Sequence, residues 1–221
     1  MGEILDAVLF PVLSKIYHEK GRVGEVIFLS IQLALVLMTS MGIFLAVYGE
    51  ELITLVYGDK WSSIVFLFQI LCLGAGLRTA TRIADVANRA LGRLRRASLG
   101  KFMSAVFILV SVYLVSGFGL ESVSTAVLVG NLTAFLIASF VALSGMDLVK
   151  SHVFLALLKA VFCSACIAFF IVLVRSVLKT MIGVSIGELF IAFVLTFFAL
   201  ALICHIGYRR EIIHIKKHII G

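Results

Sequence analysis

The chain has 221 residues, of which 62% are hydrophobic and 14% are charged, and its mean hydropathy is +1.18. Soluble domains carry about 25% charged residues, so this composition excludes an ordinary soluble fold. We therefore expect an all-α integral membrane protein. Aromatic and basic residues are not interleaved outside the apolar runs. The net charge of +7 is thus expected to mark cytoplasmic loops, and no nucleic-acid partner is predicted.

Residues 1–17 are too short and too interrupted by polar residues to span a bilayer. They also lack the early positive charges and the small-residue cleavage site of a signal peptide. We interpret residues 1–25 as an amphipathic start, the remnant of an incomplete helix.

Residues 26–208 are predicted to form a bundle of about six transmembrane helices, because a spanning helix needs about 20 mostly apolar residues. A short interfacial helix is predicted at residues 50–57, which have a charged start and one apolar side. The predicted spans are Val26–Tyr48, Trp61–Leu77, Phe102–Phe118, Val123–Leu143, Val153–Val174 and Leu189–Tyr208.

The distribution of Lys and Arg predicts the orientation of these spans. With Arg78 and Arg82, which directly follow the second span, left out of the count, connections on one side of a six-span bundle carry 13 basic residues, and connections on the other side carry 3. Because basic loops stay in the cytoplasm, both termini are expected there. The basic stretch at residues 209–221 is expected to lie on the cytoplasmic membrane surface, in contact with membrane lipid.

A row of charged residues follows the second apolar run. Their spacing of 4, 3, 4, 4 and 3 places them on one face of a single helix running from Trp61 to Arg96. Such a helix would be about 54 Å long, whereas the hydrocarbon core is about 30 Å thick. The row consists of Arg78, Arg82, Asp85, Arg89, Arg93 and Arg96.

Two interpretations of this row remain open. In one, Arg78 reaches to the membrane surface and the remaining arginines only set the topology. In the other, the row borders an aqueous cavity. Placing an arginine at membrane depth costs from ~2.5 kcal/mol upward, and such a residue is tolerated where it faces water or a partner. Asp85 could neutralise one neighbour, which still leaves excess positive charge suited to a phosphate-bearing ligand. The candidate substrate-binding residues are Arg78, Arg82, Asp85 and Arg89.

No pattern in the chain indicates catalysis. The phosphate-binding GxxxxGK[ST] loop, HExxH, GxSxG and paired carboxylates within a span are all absent from the sequence. Cys163 and Cys166 form a CxxC pair in the middle of an apolar run, without acidic or histidine neighbours, and are interpreted as packing residues. We expect a protein that is not an enzyme and that needs no cofactor or metal.

Residues 9–79 resemble polysaccharide flippases of the multidrug/oligosaccharidyl-lipid/polysaccharide exporter superfamily. The resemblance rests on FPVLSK before a span, then EELITLVYGDKW, then an apolar helix containing FQIL, with ANRALGR at 87–93. Members of this superfamily are typically about twice as long and carry the FPxLSK pattern near their middle. The chain therefore resembles the carboxy-terminal half, one lobe of a two-lobe transporter.

This resemblance implies translocation of a lipid-pyrophosphate-linked oligosaccharide across the bacterial inner membrane, for polysaccharide or lipopolysaccharide biosynthesis. It implies alternating access without nucleotide hydrolysis, and a partner that is either a missing amino-terminal half or a second copy.

The row of arginines also bears on two other functions. A non-transporting subunit or scaffold of a polysaccharide-assembly complex stays open, and it predicts tolerance of changes in the arginine row. An exporter of small cationic drugs is disfavoured, because a positive row would repel such cargo.

Overall fold

The computed structural model describes residues 20–144, 150–181, 187 and 191–201, and all its elements in these ranges are helical. The all-α prediction is confirmed for this part of the chain. The predicted amphipathic start up to residue 19 and the predicted tail at 209–221 lie outside the described residues.

The helices follow one another through short connections. Two 3-10 turns, Asp59–Ile64 and Ser116–Phe118, precede α3 and α6. The α-helices are α1 (Lys20–Val47), α2 (Gly49–Tyr57), α3 (Val65–Leu73), α4 (Ala75–Ala90), α5 (Leu94–Val115), α6 (Leu120–Leu143), α7 (Lys150–Met181) and α8 (Ile191–Ala201).

Within the described ranges, four helical segments are long and apolar enough to cross a membrane. Two shorter apolar segments, Phe162–Val177 and Ile191–Ala201, fall where the fifth and sixth spans are predicted. The total of six spans stays a prediction. The four segments are Val23–Val47, Asp59–Ala90, Leu94–Phe118 and Leu120–Leu143.

Helix α1 lies at the centre of the bundle. One side of α1 packs against α3 and α4, and another side packs against α7. Helix α4 lies between α1 and α6, while α5 packs mainly on the outer side of α6. Two buried apolar clusters result, one shared by α1, α4 and α6, and one shared by α1, α2, α7 and α8.

Successive spans run in opposite directions. Gly100 of α5 faces Ile137 of α6, and Gly130 of α6 faces Ile108 of α5, as an antiparallel pair requires. The carboxyl ends of α4 and α6 therefore lie together at one end of the bundle, which we call the Arg93 end. Helix α2 and the Asp59–Ile64 turn lie at the other end, which we call the α2 end.

Two glycines allow α1 to approach the second span closely. A Cβ added at Gly42 would overlap the carbonyl oxygen of Cys72, and one at Gly76 would overlap the Thr39 side chain. Hydrophobic burial does not hold helices together inside lipid, so close van der Waals contact between small residues takes its place.

The predicted interfacial helix is confirmed as a helix, Gly49–Tyr57. Its outer side exposes Leu55, Val56 and Tyr57. The Tyr57 ring lies 6.1 Å from the ring of Trp61, which is also exposed. Amphipathic aromatic side chains of this kind favour the membrane–water boundary.

The prediction of one helix from Trp61 to Arg96 is wrong. The segment begins with a 3-10 turn, is interrupted at Gly74, and ends at Ala90. Gly92 has φ +67°, a left-handed conformation that glycine adopts without steric cost and that commonly terminates a helix. Because the chain reverses there, Arg93 and Arg96 do not share a helix with Arg78.

Candidate functional site: the arginine face of α4

Helix α4 has one buried and one exposed side. Arg78, Arg82 and Arg89 are exposed, in agreement with their predicted placement on one helical face. We call these three residues the arginine face. The buried side, which packs on α1 and α6, consists of Gly76, Ala80, Ile83, Ala84, Val86, Ala87 and Asn88.

Arg78 turns toward the middle of the span. Its Nη2 donates a hydrogen bond to the carbonyl oxygen of Leu71, at 2.7 Å. Side chains on a helix tilt toward its amino terminus, so the guanidinium lies on the α3 side of its own Cα. In this conformation Arg78 does not reach toward the Arg93 end, as the surface-seeking interpretation requires.

The acceptor for Arg78 is a carbonyl at a break in the helix. Helix α3 ends at Leu73 and α4 begins at Ala75, so Gly74 lies at the middle of the Asp59–Ala90 segment. Two backbone hydrogen bonds flank the junction. The N–H of Gly74 donates to the carbonyl oxygen of Ile70 at 3.3 Å, and the N–H of Arg78 donates to the carbonyl oxygen of Gly74 at 3.1 Å. The Leu71 carbonyl lies between them and accepts the side-chain bond instead.

Arg82 has no such partner. Among the described residues, no hydrogen bond or ion pair involves its guanidinium. The neighbouring hydroxyls of Thr79 and Thr81 donate to carbonyls of their own helix, at 3.0 and 2.7 Å. Arg82 therefore presents an exposed cation on a membrane-spanning segment.

Asp85 does not neutralise the arginine face. Its carboxylate lies 3.0 Å from Nζ of Lys101 on α5. The Asp85 side chain is 14% exposed and that of Lys101 is 61% exposed. The interpretation that Asp85 pairs with an arginine one turn away on its own helix is corrected by this geometry. Asp85 therefore leaves Arg82 without an acidic partner on its own helix.

Asp85 and Lys101 also line a cavity of about 200 Å³ between α4, α5 and α6. Thr81 and Ser104 contribute hydroxyls to its wall, and both donate to carbonyls of their own helices. The remaining lining residues are small or apolar. The exposed arginines are not among the lining residues, so this cavity and the arginine face are separate features.

Arg93 has a structural role that the sequence did not reveal. Its Nη1 donates to the carbonyl oxygens of Val141 and Ala142, both at 2.9 Å. The last carbonyls of a helix lack partners within it, and a cation there also complements the helix dipole. Arg93 thus caps α6 from the turn between α4 and α5.

Asn88 anchors the same end of α4. It is fully buried, and its Nδ2 donates to the carbonyl oxygen of Ala138 at 3.2 Å. Within the described part of the chain, its Oδ1 has no hydrogen-bond partner. A polar group packed between helices in this way holds the two helices in register.

A second polar cluster lies at the α2 end. Arg175 of α7 forms an ion pair with Glu51 of α2 and donates to the carbonyl oxygen of Val47, at 2.6 Å. Its guanidinium carbon lies 5.6 Å from the centre of the Tyr48 ring. In the sequence Arg175 directly follows the predicted span Val153–Val174, and no local pattern indicates its distant partner.

Comparisons with known proteins give partial matches. Residues 1–66 match the family model described as "Polysaccharide biosynthesis protein". The chain is 31% identical, over 78 residues, to an uncharacterized membrane protein in the cps region of Klebsiella pneumoniae. That match covers 35% of this chain and spans 16% of the relative's length. No solved structure gives a significant match.

These matches, with the apolar helices, support a multi-pass membrane protein of polysaccharide biosynthesis. The residues matched by the family model end at 66, before the arginine face begins.

Proposed function

We propose that this chain takes part in translocating a lipid-linked oligosaccharide across the bacterial inner membrane, with both termini in the cytoplasm. The partial matches to proteins of polysaccharide biosynthesis support a role in that pathway. The arginine face supports a substrate that carries negative charge. The ligand of that face is the pyrophosphate that joins the lipid to the sugar.

The observation that carries this proposal is the exposed guanidinium of Arg82, which has no hydrogen-bond or ion-pair partner among the described residues and lies one turn from the exposed Arg78. An arginine in a membrane span is costly unless it faces water, a partner or a ligand. Asp85, the acidic residue between Arg82 and Arg89, is held by Lys101. A pyrophosphate group between the guanidinium groups, with one negative charge on each phosphate, would supply the missing negative charge and accept several charge-assisted hydrogen bonds.

The direction of the arginine face indicates where the substrate would lie. The face points away from the buried clusters formed with α1 and α6. A hydrated passage along it requires a second wall, so we propose that another helical bundle lies opposite. That bundle is an amino-terminal half or a second copy of this chain.

The proposal is tested in cells that lack the chromosomal gene and carry a plasmid copy. The Arg78→Gln/Arg82→Gln variant removes the two charges and keeps a polar, hydrogen-bonding side chain at each position. We expect loss of surface polysaccharide and accumulation of the lipid-linked precursor, at unchanged protein level. The matched control is Arg95→Gln/Arg96→Gln, which removes two exposed arginines outside the face.

Full surface polysaccharide in Arg78→Gln/Arg82→Gln would refute the assigned role and favour a scaffold without transport activity. An equal loss in the control variant would also refute it, because the arginines would then act through the orientation of the spans.

A further inference from the structure

Arg78 occupies a position at which its present acceptor and a bound anion would compete for one guanidinium. We propose that Arg78 is a positioning residue that couples anion binding on the arginine face to the bend at Gly74. This inference rests on the proposed function and assigns Arg78 a task that Arg82 does not have.

The first step is the hydrogen bond between Arg78 Nη2 and the Leu71 carbonyl. In an uninterrupted helix, this carbonyl would accept from the N–H of Ala75. Helix α3 ends before that bond, and the guanidinium satisfies the carbonyl in its place. Inside a bilayer an unsatisfied carbonyl is strongly unfavourable, so the side-chain bond stabilises the broken form.

The second step is competition for the guanidinium. A phosphate oxygen is a stronger acceptor than a neutral carbonyl, because the bond is then between two charged groups. Arg78 lies one turn from Arg82, so an anion bound by Arg82 lies within reach of it. When Arg78 turns to the anion, Leu71 loses its donor, and the helical bond from Ala75 becomes the favoured replacement. Anion binding therefore favours a straighter second span.

The third step is the effect on neighbouring helices. The break lies against α1, where Gly42 contacts the Cys72 carbonyl, and against α6, where Asn131 Nδ2 lies 3.4 Å from the position of a Cβ on Gly74. A change in the bend must therefore shift α3 relative to α1 or α6, because the contact at Gly42 leaves no free space. The substrate would thus alter the helix arrangement at the middle of the bundle.

Cys72 offers a native probe of this change, since it is a free thiol one residue from Leu71 and is only partly buried. In a protein whose other cysteines are replaced by serine, the rate of N-ethylmaleimide labelling is measured with and without inorganic pyrophosphate. The full chain is used in lipid nanodiscs. We expect saturating pyrophosphate to change the rate about fivefold or more, a typical coupling between two sites.

The variants separate coupling from binding. Arg78→Gln should abolish the effect of pyrophosphate, and without pyrophosphate it should already show the labelling rate of the anion-bound parent. Arg82→Gln should need more pyrophosphate but reach the same final rate. Arg78→Lys, which keeps a donor and a charge, should retain part of the response, and Arg95→Gln should behave as the parent.

Pyrophosphate binding is measured separately by calorimetry. If pyrophosphate binds but leaves Cys72 labelling unchanged, or changes it equally in Arg78→Gln, the coupling is refuted while the proposed function stands. If no variant binds pyrophosphate, the coupling is refuted as well. The proposed function then depends on the polysaccharide measurement in cells, which needs no labelling.

Discussion

Arg175 on α7 and Glu51 on α2, 124 residues apart in the sequence, form an ion pair that joins α7 to the corner between α1 and α2. Both side chains are mostly buried, with 28% and 14% of their surfaces exposed. The same guanidinium binds the Val47 carbonyl and lies over Tyr48. Arg175 therefore supplies a hydrogen-bond donor to the last carbonyl of α1 and fixes the position of α7.

We expect Arg175→Gln to lower the free energy of unfolding by about 2 kcal/mol, because it leaves a mostly buried carboxylate without its cation. Thermal unfolding in detergent measures the change. The double variant Glu51→Gln/Arg175→Gln should be less destabilised than the sum of the single variants, since neither then strands a charge. Strict additivity would show that the two groups do not interact.

Replacing Gly42 by alanine should destabilise the bundle by about 1–3 kcal/mol, the usual cost of overpacking. The added methyl group meets the backbone carbonyl of Cys72, which cannot rotate away. Gly117→Ala is the matched control, because no atom lies within 4 Å of its added Cβ. Equal melting temperatures for the two variants would contradict the close approach of α1 and α3.

Arg93→Gln should loosen the last turn of α6. Charge-assisted hydrogen bonds contribute about 1.5–3 kcal/mol, and Arg93 supplies two to the end of this helix. Hydrogen exchange near Val141 and Ala142 should accelerate, while exchange in α1 stays unchanged. Arg96→Gln removes an exposed arginine from the same turn region and should leave α6 as it is. If hydrogen exchange at the end of α6 is as slow in Arg93→Gln as in the parent, the capping role is disproved.

Asp85→Asn should have a small effect on stability, about 0–1 kcal/mol, because its partner Lys101 is 61% exposed. It should also leave polysaccharide export near the parental level, since the carboxylate does not neutralise Arg82. Export and thermal unfolding are measured beside Arg82→Gln. A loss of export as large as that of Arg82→Gln would show that Asp85 acts on the arginine face.

The helical periodicity of the charged row correctly placed Arg78, Arg82 and Arg89 on one face, because that relationship depends only on 3.6 residues per turn. The same reasoning failed at Gly92, where it extended the helix to Arg96. Glycine lowers helix propensity by only about 1 kcal/mol, so its sequence position alone does not decide whether a helix ends there. In the structure Gly92 has a positive φ, and the N–H of Arg93 donates to the carbonyl oxygen of Asn88 at 2.9 Å, which closes the end of α4.

Composition alone determined that this chain resides in lipid as helices, because 62% hydrophobic residues with 14% charged residues can be accommodated in no other solvent. Local spacing determined which arginines share a face of α4. Only the tertiary structure decided that Asp85 turns to Lys101, that Arg93 caps α6, and that Arg175 meets Glu51. Each of these partners lies on another element, and which elements become neighbours depends on the packing of whole helices rather than on any short stretch of sequence.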